Sequence, residues 1–476
     1  MTLLDDPHAG ELEGLAITAS GLERDGPTLV PVERYISPEW MAVENERVWP
    51  KVWQIACSVD HVAKPGDFYE YRAGWHSVIV VRGEDGMLRA FQNACRHRGN
   101  SVCTGSGSGL TELRCPFHRW AWDLDGRLRE VPSRSFFGPL ADDELGLIPA
   151  RVDTWGRLVF VNLDLHAMSL ADWLEGVRDD AAGAALEDFR AAVTTTTSVD
   201  CNWKVAADGF SETYHVQGIH REMLASIDDI HATQHIWGRQ SVSYQDYGVP
   251  SPRLGPDVGD EDVWRSFVIT QGGRMGPAYA AADAPMPRRA DGEGVRDVIL
   301  RLLREEHARR HGTDCSAVDD TKMLRLAQYN LFPNATVLVW GEMVNVLIAR
   351  PGRTPDDAEL DTFLLYRHPA GAARTHPVDL PVPSDADFGF VLNADFGVLR
   401  TAQRGLHQSG LTDLVVSNEE CRIVNMHRNL MGYLGTATST HDGPRATTSP
   451  TGAPPGSPSR NSTSHGSVAQ STPATS

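Results

Sequence analysis

Two stretches decide the reading: FQNACRHRGNSVC (91–103) and LRCPFHRWAWDLDGRL (113–128). Cys95-Arg96-His97 is followed, after 17 residues, by Cys115-Pro116-Phe117-His118. One thiol and one imidazole in each short motif describe two chelating loops that face one metal centre. Zinc accepts the same ligands in a tetrahedral N2S2 site. The arrangement favours a [2Fe–2S] cluster, in which each loop gives its Cys to one iron and its His to the other. Glycines at 99, 105, 107 and 109, with Pro116, suit loops that grip a compact cluster. Arg96, Arg98, Arg114 and Arg119 lie close by. They either temper the cluster's charge and offer a cationic face to an acidic ferredoxin, or are ordinary surface arginines.

Outward from these loops the pattern is strand-like. Phe68–Arg72 alternates, Ser77–Val81 is β-branched, and Arg82-Gly83-Glu84-Asp85-Gly86 supplies turn chemistry before Met87–Phe91. Asp125-Gly126 predicts a hairpin within 120–128, and 157–163 a further strand. A small antiparallel β domain is expected over 36–155, preceded by a loosely packed arm, 1–35. Helical signals follow at 170–177, 203–224, 295–311 and 411–434, mixed with strands at 334–350 and 359–367. This is an α+β pattern over 156–435. Residues 249–290, rich in Gly, Pro and Asp, read as a long loop or lid. Residues 436–476 are Ser/Thr/Pro/Gly-rich and too poor in apolar side chains to offset ordering entropy, so a disordered tail is expected.

Composition narrows the function. The 476 residues carry 44 Lys+Arg against 63 Asp+Glu, a net charge of −19. Such a chain is a poor wrapper of nucleic acid and a poor ligand for anionic membranes. No run of 18 apolar residues exists, and the acidic N-terminus lacks the features of a signal peptide. Seven cysteines, sparse and odd in number, argue for a reducing cytoplasm.

A second constellation lies at 202–220, NWKVAADGFSETYHVQGIH. On a continuous helix Asp208, Glu212 and His215 share one face. His220, five residues past His215, rotates away unless the helix bulges or breaks near Gly218. Taken alone, such a histidine pair is more often structural than ligating. His231 and His235, four apart on a possible helix, read as pocket-wall or surface residues.

The first two stretches closely resemble the Rieske domain of bacterial ring-hydroxylating oxygenase α subunits. Phe117 stands where the respiratory Rieske proteins would need a Cys for their extra disulfide, so Cys103 reads as a structural thiol. NWKxxxDxxxExYHxxxxH resembles the mononuclear-iron segment of the same family. RVDTWGRLVFVNLD and YNLFPN (329–334) extend the resemblance to about 35–435. It implies a Rieske cluster held by Cys95, His97, Cys115 and His118, and Fe(II) held by His215, His220 and a distant Asp. Asp395, eight residues before Gln403-Arg404-Gly405, is the expected third ligand, with Asp387 as fallback; Ala394 replaces the Glu common in relatives. Glu212 is the expected carboxylate bridge to a Rieske histidine of the neighbouring subunit. The implied catalytic fold is a helix-over-antiparallel-sheet, helix-grip-like domain. The implied activity is that of a terminal oxygenase. Electrons from NAD(P)H pass through a reductase, or a reductase and ferredoxin, to activate O2 for cis-dihydroxylation or monooxygenation of an aromatic or other cyclic apolar substrate. Removal of N- or O-alkyl groups is the alternative. A bare Rieske electron carrier would need none of the second constellation. A homotrimer or α3β3 assembly is also implied. Phe210, Leu224, Ile227, Ile236, Trp237, Val337 and Val339 are the expected apolar pocket residues.

Overall fold

The computed structural model describes residues 19–20, 26–369, 371–372 and 376–435. The tail expected over 436–476 and most of the arm expected over 1–35 lie outside them. Among the described residues a seven-stranded antiparallel sheet runs in the order Gln54–Ser58, Leu158–Asn162, Pro149–Trp155, Leu88–Gln92, His76–Arg82, Phe68–Ala73, Ser106–Gly107. The turn at 83–87 closes as its chemistry demands. Gly86 takes φ +78°, and Asp85 Oδ1 accepts from the Met87 amide at 3.0 Å. A smaller sheet of Leu113–Arg114, Ala121–Trp122 and Leu128–Glu130 stands beside it. The boundary expected at 155 falls inside a hairpin. Trp155 pairs with Leu158, and Leu158–Asn162 inserts next to Gln54–Ser58, so this sheet continues to Asn162.

The second half is built on a nine-stranded sheet. Its order is Ala19–Ser20, Ile227–Trp237, Gln240–Tyr247, Arg325–Leu331, Ala335–Val339, Met343–Pro351, Ala358–Arg367, Phe189–Val199, Val378–Pro381. Pairing is antiparallel except at the two outermost pairs. Helices Trp203–Gly209, Phe390–Leu406 and Cys421–Leu434 pack over it. Phe396, Leu399, Val424 and Leu430 share one core with Val346 and Phe363. The α+β, helix-over-sheet expectation therefore holds.

Several local expectations give way. His231 and His235 lie on a strand, because Trp237-Gly238-Arg239-Gln240 closes a two-residue hairpin with Gly238 at φ +57°. Within the supposed loop 249–290, Asp260–Gln271 is a helix. Asp262 accepts from the Gly259 amide, and Val263, Trp264, Phe267 and Val268 are buried at helical spacing. The expected helix 411–434 splits into the strand Asp413–Val416 and the helix Cys421–Leu434. The end of the arm is anything but loose: Thr28–Pro31 pairs with Asp413–Val416, and Val30, Val32 and Tyr35 are buried.

The two halves are tied by buried polar contacts. Lys204 Nζ donates to Glu44 Oε1 at 2.7 Å, and Trp203 Nε1 to Glu44 Oε2 at 2.9 Å. Arg157 pairs with Asp60, whose Oδ2 also accepts from the Ala191 amide at 2.9 Å.

Candidate metal centres

The first centre sits on two loops of like construction. In the first, the Gly99 amide donates to Cys95 O at 2.9 Å; in the second, the Arg119 amide donates to Cys115 O at 3.1 Å. Gly99 and Arg119, each four residues past its Cys, both take left-handed φ, +74° and +66°. Arg119 adopts there a conformation that glycine adopts freely. Asn93 staples the first loop: Nδ2 donates to Cys103 O at 2.8 Å, and Oδ1 accepts from the Val102 and Cys103 amides. Cys95 and Cys115 are buried free thiols. His97 and His118 are half-buried, their ring centroids 4.6 Å apart, and Trp120 stacks on His97 at 5.2 Å. Among the described residues His97 Nδ1 has no hydrogen-bond partner. Two thiols, two imidazoles and an orphaned ring nitrogen fit a [2Fe–2S] group that the polypeptide alone cannot replace. Burial pushes the half-buried Cys103 thiol up to about 12, as befits an inert sulfhydryl. Of the nearby arginines, Arg114 pairs with Glu112 and Glu130, while Arg98 lies 5.1 Å from the Phe117 ring.

The second centre departs from the continuous helix that the sequence suggests. Asn202 Oδ1 caps the helix by accepting from the Lys204 amide at 3.0 Å, but the helix stops at Gly209. The chain turns through 210–215 and resumes as the short helix Val216–Ile219. The break thus precedes His215 and does not lie at Gly218, so Asp208, Glu212 and His215 share no helical face. It brings His215 and His220 together, ring centroids 5.2 Å apart. Asp395 arrives from the helix Phe390–Leu406. His220 Nε2 lies 2.8 Å and His215 Nε2 4.0 Å from Asp395 Oδ1, and one ligand atom of each lies within 4.8 Å of the others. Among the described residues this is the group placed to hold a single metal ion. Asp387 stands apart, exposed and bonded to Asn393 and the Gly389 amide.

Glu212 is buried and bound within its own chain. Oε1 lies 2.5 Å from His215 Nδ1, and Oε2 accepts from the His215 amide at 2.9 Å. That bond fixes the tautomer and leaves His215 Nε2 as the lone-pair nitrogen. Burial alone would lower the His215 pKa; the Glu212 hydrogen bond and charge, with Asp395, override it and raise it. His220 Nδ1 is buried without a hydrogen-bond partner. Two imidazoles and one carboxylate fit a ferrous ion with coordination positions to spare.

A cavity of about 280 Å3 opens on these residues, walled by Phe210, Ile227, Tyr247, Trp340 and Phe388. Of the expected pocket residues, Phe210 and Ile227 line it; Leu224, Ile236, Trp237, Val337 and Val339 do not. On the strand Ala335–Val339 the alternation puts Thr336 and Leu338 toward the cavity and Val337 and Val339 on the other face. The cavity also carries the amides of Gln245, Gln328 and Asn345, and Arg274, whose Nε and Nη2 donate to Glu342 Oε1 at 2.9 and 2.6 Å. His231 is exposed and bonded to Asp228, and His235 stacks on Trp237; neither lines this cavity.

Sequence reasoning missed a triad of buried Tyr35 and His427 with half-buried Asp208. Tyr35 Oη donates to Asp208 Oδ2 at 2.7 Å and lies 2.8 Å from His427 Nε2. The signal was Tyr35 itself, a large side chain at the end of a supposedly loose arm.

Residues 52–140 match the Rieske [2Fe-2S] domain family, and residues 186–436 match the ring hydroxylating alpha subunit (catalytic domain) family. The carnitine monooxygenase oxygenase subunit of Acinetobacter baumannii is 28% identical over 233 residues, 48% of this chain and 62% of that protein. The glycine betaine monooxygenase oxygenase subunit of Pseudomonas aeruginosa is 31% identical over 211 residues, 44% of this chain and 49% of that protein. The matched stretches thus span about half to three-fifths of these relatives. A crystal structure of a quaternary ammonium Rieske monooxygenase in complex with L-carnitine shares the fold, with a TM-score of 0.60 at 17% identity, covering 86% of this chain and 96% of that one. With its catalytic-domain match spanning more than half of the sequence, the chain belongs to the family of ring-hydroxylating oxygenase α subunits that carry a Rieske domain.

Proposed function

We propose that this chain is the oxygenase component of a multi-protein system. In this reading Cys95, His97, Cys115 and His118 hold the cluster, and His215, His220 and Asp395 hold Fe(II). With both groups bound, the cluster would supply electrons singly and the ferrous centre would activate O2 for hydroxylation of a C–H bond or of a ring double bond. The observation that carries the reading is the convergence of His215, His220 and Asp395 on the wall of one cavity, in a chain that also presents paired Cys/His loops. An electron carrier needs no such cavity. Glu212 holds His215 in the ligating tautomer. Its expected second role, as a bridge to a neighbouring subunit's cluster histidine, is part of the proposal, as is a trimeric or α3β3 assembly. NAD(P)H would supply electrons through a reductase, alone or with a ferredoxin.

The substrate proposed is a small organic molecule with an apolar body. Aromatic and aliphatic walls favour a cyclic apolar compound, and among the described residues the cavity's only carboxylates, Glu212 and Asp395, belong to the proposed metal site. The named relatives favour a quaternary ammonium substrate, on which N-dealkylation is the reaction proposed, and the rings of Tyr247, Trp340 and Phe388 suit a cationic head group. Hydroxylation of N–CH3 to N–CH2OH uses one O2, two electrons and two protons and releases water; the cationic N–CH2OH product then collapses to a tertiary amine, formaldehyde and a proton.

The deciding experiment measures iron content, then O2 uptake with a reconstituted reductase over a panel of aromatic hydrocarbons, carnitine and glycine betaine. About three irons per chain are expected. Formaldehyde release assigns the dealkylating reading; a diol or phenol assigns ring hydroxylation. Two irons, with no uptake on any compound, would leave only a carrier. The free thiols at all seven cysteines suit a reducing cytoplasmic setting, and among the described residues no helix is long and apolar enough to cross a membrane.

A further inference from the structure

Behind the second centre lies a buried charge that the site described so far does not use. Arg422 is 2% exposed. Its Nε donates to Gln234 Oε1 at 2.9 Å and its Nη1 to Asn330 Oδ1 at 2.6 Å; among the described residues Nη2 has no hydrogen-bond partner. Both acceptors are neutral amides. Arg422 also stands in the first turn of the helix Cys421–Leu434, where the helix dipole disfavours a cation. Burial pushes its pKa down to about 10, so it stays charged at neutral pH. A guanidinium kept in so unfavourable a place needs a return elsewhere in the structure.

That return is visible at Asn330, the Asn of Tyr329-Asn330-Leu331. Arg422 is a pure donor, so the Asn330 amide must turn its oxygen toward Arg422 and its NH2 the other way. There Nδ2 lies 3.1 Å from Phe210 O, 3.1 Å from Ser211 Oγ and 2.9 Å from Thr336 Oγ1. Phe210 O also accepts from Gln328 Nε2 at 2.6 Å and from Thr336 Oγ1 at 3.3 Å. Phe210 caps the helix Trp203–Gly209, and its carbonyl is one that a continuing helix would have used. Capture of that carbonyl by side chains of the sheet is what turns the backbone toward Glu212 and His215.

We infer that Arg422 is a positioning residue for the mononuclear metal site: by fixing the Asn330 amide it holds the Phe210–Glu212 turn that presents Glu212 and His215. The inference rests on the proposed ferrous site. The R422M side chain keeps an apolar stem without a donor and leaves Asn330 Oδ1 buried without that partner, so the amide is no longer anchored from behind where it holds Phe210 O. Full-length protein stripped of mononuclear metal is titrated with Fe(II), with the visible absorbance of the cluster read in parallel. R422M is expected to bind Fe(II) about 10–100-fold more weakly with the cluster spectrum unchanged. N330D keeps a partner for Arg422 but loses the NH2 for Phe210 O, and is expected to weaken binding in the same way. R422K, whose ammonium still donates to Asn330 Oδ1, is expected to recover most of the affinity. Nitric oxide added to the ferrous protein gives a second readout: its paramagnetic resonance should change in R422M and N330D and revert in R422K. Wild-type affinity and an unchanged resonance in both R422M and N330D overturn the inference, as does unfolding of both or their loss of both metals together. Failure of the wild type itself to bind Fe(II) instead sinks the oxygenase reading on which the inference stands.

Discussion

At the scale of single residues, the proposed ferrous site takes Asp395 as its one carboxylate beside two imidazoles. Asp395→Ala removes one of the three proposed donors and leaves the Cys/His loops untouched. The protein should then retain its cluster absorbance and lose the third iron together with substrate-dependent O2 uptake; iron analysis checks this. Retention of that iron would shift the ligand role elsewhere. Glu419 permits a test that needs no substrate. Burial pushes its carboxyl up to about 7; Asp229, Glu212 and Glu420 add to the rise against the pull of Arg253. An unfolded Glu titrates near about 4.3. Between those values the folded chain binds more protons, so Glu419 subtracts stability as pH rises through the window. Glu419→Gln should raise the melting temperature at pH 8 and leave it unchanged at pH 4. A difference of equal size at both values would show that the effect is one of packing and not of ionisation.

At the scale of elements, the site is a junction of two helices held by amides. The Asn202 amide donates to Gln403 Oε1 at 3.0 Å, and Asn202 Nδ2 donates to Tyr35 O and Pro355 O, each at 2.8 Å. One side chain thus caps the helix Trp203–Gly209 and ties it to the arm, while its backbone meets the helix that carries Asp395. Gln403, of the Gln403-Arg404-Gly405 marker, is buried and docks that helix through Asn202 and through Asp356 Oδ1 at 2.5 Å. Asn202→Ala should lower the unfolding free energy by at least about 1 kcal/mol, the usual cost of a lost cap, measured by urea denaturation. No change would mean that water replaces all three bonds.

At the scale of the molecule, the proposed assembly makes a prediction that no single chain can satisfy. If the cluster of one subunit serves the iron of the next, a Cys115→Ser chain and an Asp395→Ala chain are each inactive alone. Co-expressed in one oligomer, they should recover a fraction of wild-type turnover. Recovery requires mixed assemblies, isolated with two affinity tags. Pure mixed oligomers without turnover would confine electron transfer to one chain.

The cluster loops were legible in the sequence because their ligands are local: a Cys and a His two or three residues apart, with turn residues and alternating strands around them, need little beyond short-range geometry. The two histidines and the distant Asp were legible only through resemblance. Spacing alone put His215 and His220 on diverging helical faces, and nothing local joins Asp395 to either. Tertiary structure decided three things. It broke the helix after Gly209, where Gln328, Asn330 and Thr336 of the sheet hydrogen-bond the Phe210 carbonyl. It made a strand of 227–237 by pairing it across Gly238. It folded residues 28–35 into the core, where Tyr35 meets Asp208 and His427. Each depends on partners more than a hundred residues away or on strand pairing, and a one-dimensional period cannot encode contacts of that range.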